Sequence, residues 1–109
     1  MNLFFNHPVP PVLDDSSPTA VSAYIGDTVS LSCVVLGGIP QPAIRWLKDS
    51  FLVNVDGEKV RESADEETLV LEDAMVSDSG EYMCEVNNGV DEAIRRQITL
   101  TVLGMFCGK

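Results

Sequence analysis

Between Val29 and Val35, the apolar positions Val29, Leu31, Cys33 and Val35 alternate with Ser30, Ser32 and Val34. This period of two predicts a strand with one buried face. The same rhythm returns four times. Residues 43–48 put Ile44 and Trp46 on one side and Arg45 and Leu47 on the other. Residues 68–72, T-L-V-L-E, turn Leu69 and Leu71 inward. The run D-S-G-E-Y-M-C-E-V at 78–86 lines up Asp78, Gly80, Tyr82, Cys84 and Val86 on one side, because successive strand side chains point to opposite faces. Residues 93–103 bury Ile98, Leu100 and Val102 and expose Gln97, Thr99 and Thr101. Shorter extended pieces are expected at Leu52–Val53 and at 59–63. Helical periodicity is confined to one turn over 73–77.

The punctuation between these runs is that of turns. Residues 6–18 are rich in proline and short polar residues, which suits an extended lead-in or an edge strand. Gly26-Asp27 reads as a turn. L-G-G-I-P-Q-P at 36–42 breaks the first strong strand, and Asn88-Gly89 predicts a tight hairpin. There is no internal repeat. Short strands at this spacing predict an all-β, antiparallel two-sheet sandwich.

Length and charge narrow the partners. At 109 residues the chain supports one domain with a single core. Its formal charge is −10, from 7 basic against 17 acidic residues. DNA, RNA, heparin and anionic lipid each demand a basic surface, so none is expected as the main partner. No apolar run approaches the roughly 20 residues that span a bilayer. The start, M-N-L-F-F-N-H-P, lacks a basic n-region and a full apolar core, so it does not read as a complete signal peptide. The expected organisation is a leading segment or expression remnant at 1–8, a domain at 9–103 and a C-terminal linker at 104–109.

Three stretches carry a resemblance: G-D-T-V-S-L-S-C at 26–33, G-I-P-Q-P-A-I-R-W-L-K-D at 38–49 and L-V-L-E-D-A-M-V-S-D-S-G-E-Y-M-C at 69–84. The chain resembles the immunoglobulin superfamily and, within it, the I-set. The short interval between Trp46 and Leu69 leaves little room for the extra strands of a variable domain. The piece G-G-I-P-Q-P-A-I-R-W-L-K is also similar to a segment of fibroblast-type growth-factor-receptor kinases. The resemblance implies a Greek-key sandwich in which a Cys33–Cys84 disulfide joins the sheets under the Trp46 indole, with Leu31 and Leu71 in the core. It further implies a tyrosine corner at Tyr82 and a turn shaped by Asp78 and Gly80. Cys107 is the odd thiol, expected to pair with an adjoining domain or to be a terminal remnant.

Catalytic and metal-binding chemistry find little support. The single histidine, His7, lies in the proline-rich lead-in with no nucleophile beside it in sequence. The acidic clusters 14–15, 65–67 and 72–73 lack an ordered ligand spacing, and Gly37-Gly38 precedes prolines rather than a helix. No catalytic residue, metal or cofactor is expected. Protein binding is the better reading. Arg45, Leu47, Met83, Glu85 and Gln97 are expected outward on one sheet, with a composition found at interfaces. Val34 and Val70 on the other sheet are expected to pair two copies. The resemblance therefore implies a non-catalytic adhesion or receptor module, extracellular or on the cell surface, whose partner is protein, either itself (as a homodimer) or another. The alternative is an intracellular structural domain of a muscle or cytoskeletal scaffold.

Overall fold

The structure is a computed structural model describing residues 7–104. Ten strands follow one another: β1 (Val12–Leu13), β2 (Ala20–Tyr24), β3 (Val29–Ser32), β4 (Val35–Leu36), β5 (Ala43–Lys48), β6 (Phe51–Leu52), β7 (Val60–Glu62), β8 (Thr68–Leu71), β9 (Gly80–Asn87) and β10 (Ile94–Leu103). A single 3₁₀ turn, Val76–Asp78, precedes β9. The strands form a five-stranded sheet in the order β2-β10-β9-β5-β6, a three-stranded sheet β3-β8-β7 and a ribbon β1-β4.

The core between the layers is built from the alternating positions. Leu31, Trp46, Leu69, Leu71, Tyr82, Val86, Ile98 and Leu100 are all buried. Cys33 and Cys84 are fully buried and joined by a disulfide, with a Cα–Cα distance of 6.4 Å. Trp46 is the cross-strand neighbour of Cys84, and its indole N–H donates to the Glu66 carbonyl at 3.0 Å. The Tyr82 hydroxyl donates to the Asp78 carbonyl at 2.6 Å, so its polar tip has a partner at the rim of the core. Burial pushes the Tyr82 phenol far above its ordinary pKa, and the Asp78 and Asp49 charges add to that.

Several details depart from the sequence pattern. Ala20–Tyr24, which alternation does not predict as a strand, pairs parallel with β10, Val21 lying beside Leu100 and Ala23 beside Val102. The sandwich is thus not purely antiparallel. The proline-rich lead-in pairs with β4, then crosses to the opposite sheet over residues 14–19. Regular pairing also stops before Cys33, which lies between β3 and β4; its N–H still donates to the Glu67 carbonyl at 2.8 Å.

Asn88-Gly89 makes no tight hairpin. The last cross-strand pair is Val86 with Ile94, leaving a longer loop. The Asn88 amide is drawn away to the carbonyls of Val9 and Pro40, at 2.7 and 3.0 Å, and Gly89 N–H closes a local turn onto Asn87 Oδ1 at 2.8 Å. The expected helical turn at 73–77 is displaced to the 3₁₀ turn, which removes Asp78 from the strand face. Asp78 Oδ2 instead accepts from Met75 N–H at 2.8 Å. A Cβ at Gly80 would lie 2.9 Å from Asp49 Oδ2 and 3.0 Å from Lys48 Cε, the ends of two flexible side chains that would have to shift. The expected leading residues 1–6, the linker beyond Gly104 and Cys107 lie outside the described residues.

Candidate protein-interaction face

The outer face of the five-stranded sheet is ordered by the register of β5, β9 and β10. Arg45 lies opposite Glu85, and Glu85 opposite Arg95. Two residues along, Leu47 lies opposite Met83, and Met83 opposite Gln97. Two further along, Glu81 lies opposite Thr99, with Asp49 on its other side, since Asp49 N–H donates to the Glu81 carbonyl at 2.8 Å. The face is therefore a grid of three rows. All five outward residues expected from the sequence, Arg45, Leu47, Met83, Glu85 and Gln97, stand on it.

Each row has its own chemistry. In the first, Glu85 is clasped by both arginines. Arg45 Nε donates to Oε1 at 2.9 Å, and Arg95 reaches Oε2 through Nε at 2.9 Å and Nη2 at 2.8 Å. The Arg45 hydrogen bond, followed by that from Arg95, holds the Glu85 carboxyl below its ordinary pKa. Both guanidinium side chains stay more than half exposed while Glu85 is 16% exposed, so the row presents net positive charge outward. Exposed pairs of this kind add little to stability; their effect here is to hold the arginines in place.

The third row is acidic. Glu81 Oε1 accepts from Gln97 Nε2 at 2.6 Å and Thr99 Oγ1 at 2.9 Å, and Asp49 Oδ1 accepts from Glu81 N–H at 3.0 Å. Between the charged rows runs the apolar one, extended by a residue that the sequence pattern does not single out. Leu52 on β6 lies opposite Leu47 and is 64% exposed. Its only signal is an apolar residue beside a turn, which alternation over two residues cannot orient. A shallow groove of about 380 Å³ crosses the face, lined among others by Leu47, Met83, Glu81 and Arg95.

On the other sheet, Val34 and Val70 stand apart along the strand direction. Val70 stands between Ser30 and Arg61, whereas Val34 lies beyond the strand break, its carbonyl accepting from Asp14 N–H at 2.9 Å. Four residues separate Val34 from the level of Ser30, about 13 Å at strand spacing. The exposed apolar pair on this side is Val12 with Leu36, on the ribbon.

Among the described residues, no group of three or more His, Cys, Asp or Glu is placed to hold a metal ion. His7 is exposed. The acidic clusters are used locally: Asp65 accepts from the Ser63 hydroxyl and Glu67 N–H, and Glu72 pairs with Arg61.

The family model for the immunoglobulin domain matches residues 10–88. The chain belongs to the immunoglobulin domain family. It is 38% identical over 94 residues to human hemicentin-1, across 84% of this chain and 2% of that protein. It is 40% identical over 80 residues to the chicken cell adhesion molecule DSCAML1, across 73% of this chain and 4% of that protein. An immunoglobulin chain from the solved complex of titin with obscurin-like 1 superposes with a TM-score of 0.78 at 28% identity, covering 93% of this chain and all of that one. The immunoglobulin domain described here thus spans only a few per cent of the curated relatives it matches. Adhesion and muscle proteins both appear among its relatives. The latter is the Caenorhabditis elegans muscle M-line assembly protein unc-89, 36% identical over 72 residues across 63% of this chain and 1% of that protein. Membership by itself therefore fixes no particular role or partner.

Proposed function

We propose that the chain is one I-set module, residues 9–103, of a larger extracellular or cell-surface protein, and that it recognises protein through the outer face of its five-stranded sheet. The observation that carries this is the three-row grid, an apolar strip between a held basic row and an acidic row. Methionine sits at its centre and two arginines along one side, both residue types enriched at interfaces. The likeness to a molecule named for cell adhesion supports the setting. The Cys33–Cys84 disulfide also suits an oxidising compartment. No catalytic step is assigned to it.

The test is adhesion of beads coated with the chain to cells of its source tissue. Leu47→Asp and Met83→Asp should abolish it, and Val70→Asp on the opposite sheet should leave it intact. Equal adhesion by all four proteins would sink the reading. A second reading, an intracellular structural domain, draws on the likeness to a muscle M-line assembly protein. Mass spectrometry of the protein from its native source separates the two, since free thiols at Cys33 and Cys84 would favour the intracellular module.

A further inference from the structure

The three rows are complementary to themselves. With Arg45, Glu85 and Arg95 the first row carries net +1; with Asp49 and Glu81 the third carries −2; the middle row of Leu52, Leu47, Met83 and Gln97 is uncharged. Turn one copy over a second about an axis lying along the middle row. Each apolar residue then meets its own counterpart; Arg45 of each copy lies over Asp49 of the other and Arg95 over Thr99, while Glu85, already neutralised by its two arginines, lies over Glu81. An axis along the strands would instead set like row against like row. The register of β5, β6, β9 and β10 thus distinguishes one two-fold arrangement from the other.

We propose that the occupant of this face is a second copy of the same chain, bound as an isologous pair about the Leu52–Leu47–Met83 row. This rests on the reading of the face as a protein-binding surface and names its partner. Charge is what selects the arrangement. Copies with a net charge of −10 repel one another overall, so contact requires local attraction of opposite rows together with burial of the apolar strip. The arginines are already held by Glu85, which lowers the entropy lost when they meet a partner.

The size of the grid sets the strength. At about 4.8 Å between strands and 3.4 Å per residue it is on the order of 300 Å² per copy. Stable complexes bury roughly 800 Å² per partner, so a single pair is weak and transient. Repetition of contacts along multidomain chains would supply the avidity.

A charge exchange between rows tests the pairing by sedimentation of the chain at high concentration. One variant, Arg45→Glu with Arg95→Glu, makes the basic row acidic. The other, Glu81→Lys with Thr99→Lys, makes the acidic row basic. The native chain should self-associate, each variant alone should sediment as a monomer, and an equimolar mixture should recover the dimer. Recovery also shows that both variants are folded. Leu47→Asp should weaken native association tenfold or more. A native chain that stays monomeric, or variants whose mixture stays monomeric, would overturn the pairing. Coated beads separate this from failure of the broader reading. Beads that adhere to cells but not to one another, with Leu47→Asp still abolishing the adhesion, leave the face a protein-binding one whose partner is not itself.

Discussion

The Lys59 ammonium lies 2.7 Å from Asp78 Oδ2 and donates as well to the carbonyls of Glu72 and Asp73, at 2.7 and 2.8 Å. One side chain next to β7 thereby ties down both the turn after β8 and the 3₁₀ turn that sets up the tyrosine corner. The ammonium is partly exposed, so the pair contributes modestly compared with a buried one. Lys59→Met should lower stability by about 1–2 kcal/mol, read as a lower urea midpoint at unchanged slope. Asp78→Ala should cost more than Lys59→Met, because Met75 N–H also loses its acceptor. Equal midpoints for native and Lys59→Met proteins would refute the assignment.

The covalent tie between the sheets contributes more than any of these polar contacts. Cys33 and Cys84 are 51 positions apart, and closing a loop of that size restricts the unfolded chain by about 4 kcal/mol on chain-entropy grounds. The double variant Cys33→Ala, Cys84→Ala should lose at least that much in denaturant unfolding, since it also removes buried sulfur beneath Trp46. A loss below about 1 kcal/mol would mean that the unfolded chain is already compact around this pair.

Legibility in the sequence followed the reach of each signal. Strands β3, β5, β8, β9 and β10 were readable because four or more alternating positions report which face is buried. The disulfide, Trp46 and the tyrosine corner came with the family pattern carried by Asp78, Gly80, Tyr82 and Cys84. Strand β2 escaped because A-V-S-A-Y carries small residues and one half-buried valine, and because its partner is the distant β10. Asn88-Gly89 misled because tertiary hydrogen bonds to Val9 and Pro40 outweigh a local turn preference. On the candidate face, alternation gave the outward residues, while their ordering into rows required the register between strands.

Arg96 is a charged residue on the inward side of β10, between Ile94 and Ile98. Its guanidinium donates to the carbonyls of Asp14 and Ser17, on the segment where the lead-in crosses between sheets. Its Nε is buried with no hydrogen-bond partner among the described residues. These effects oppose each other: Arg96→Met loses the hydrogen bonds to the crossing segment but relieves an unsatisfied polar atom. The expected net loss is small, about 1 kcal/mol. The sharper readout is local. Hydrogen exchange should quicken at β2 and at the Thr99 amide, which donates to the Thr19 carbonyl at 2.8 Å, and stay unchanged in β5. Uniform quickening across the domain would argue against an anchoring role.

Acid should reveal two carboxylate populations of opposite sign. Glu85 is held below its ordinary pKa by Arg45 and then Arg95, and Glu72 by Arg61 and then Thr28. Asp56 is lowered by the Val60 and Glu58 amides, Asp65 by Ser63 and Glu67, and Asp14 by Ser16. Each favours the folded state fully above its ordinary pKa, about 3.9 for aspartate and 4.3 for glutamate, and loses that contribution as pH falls through its lower folded value. Glu62 behaves oppositely. Burial, and then the Glu66 charge, raise its pKa, so its ionised form disfavours folding, and that penalty disappears as pH falls from its raised folded value toward about 4.3. Relief of repulsion among the excess acidic residues acts in the same direction. Urea midpoints should therefore hold or rise slightly between about pH 7 and 5, then drop below about pH 4. Glu62→Gln should flatten the upper limb and Glu85→Gln should soften the acid drop. A steady decline from neutral pH downward would contradict this balance.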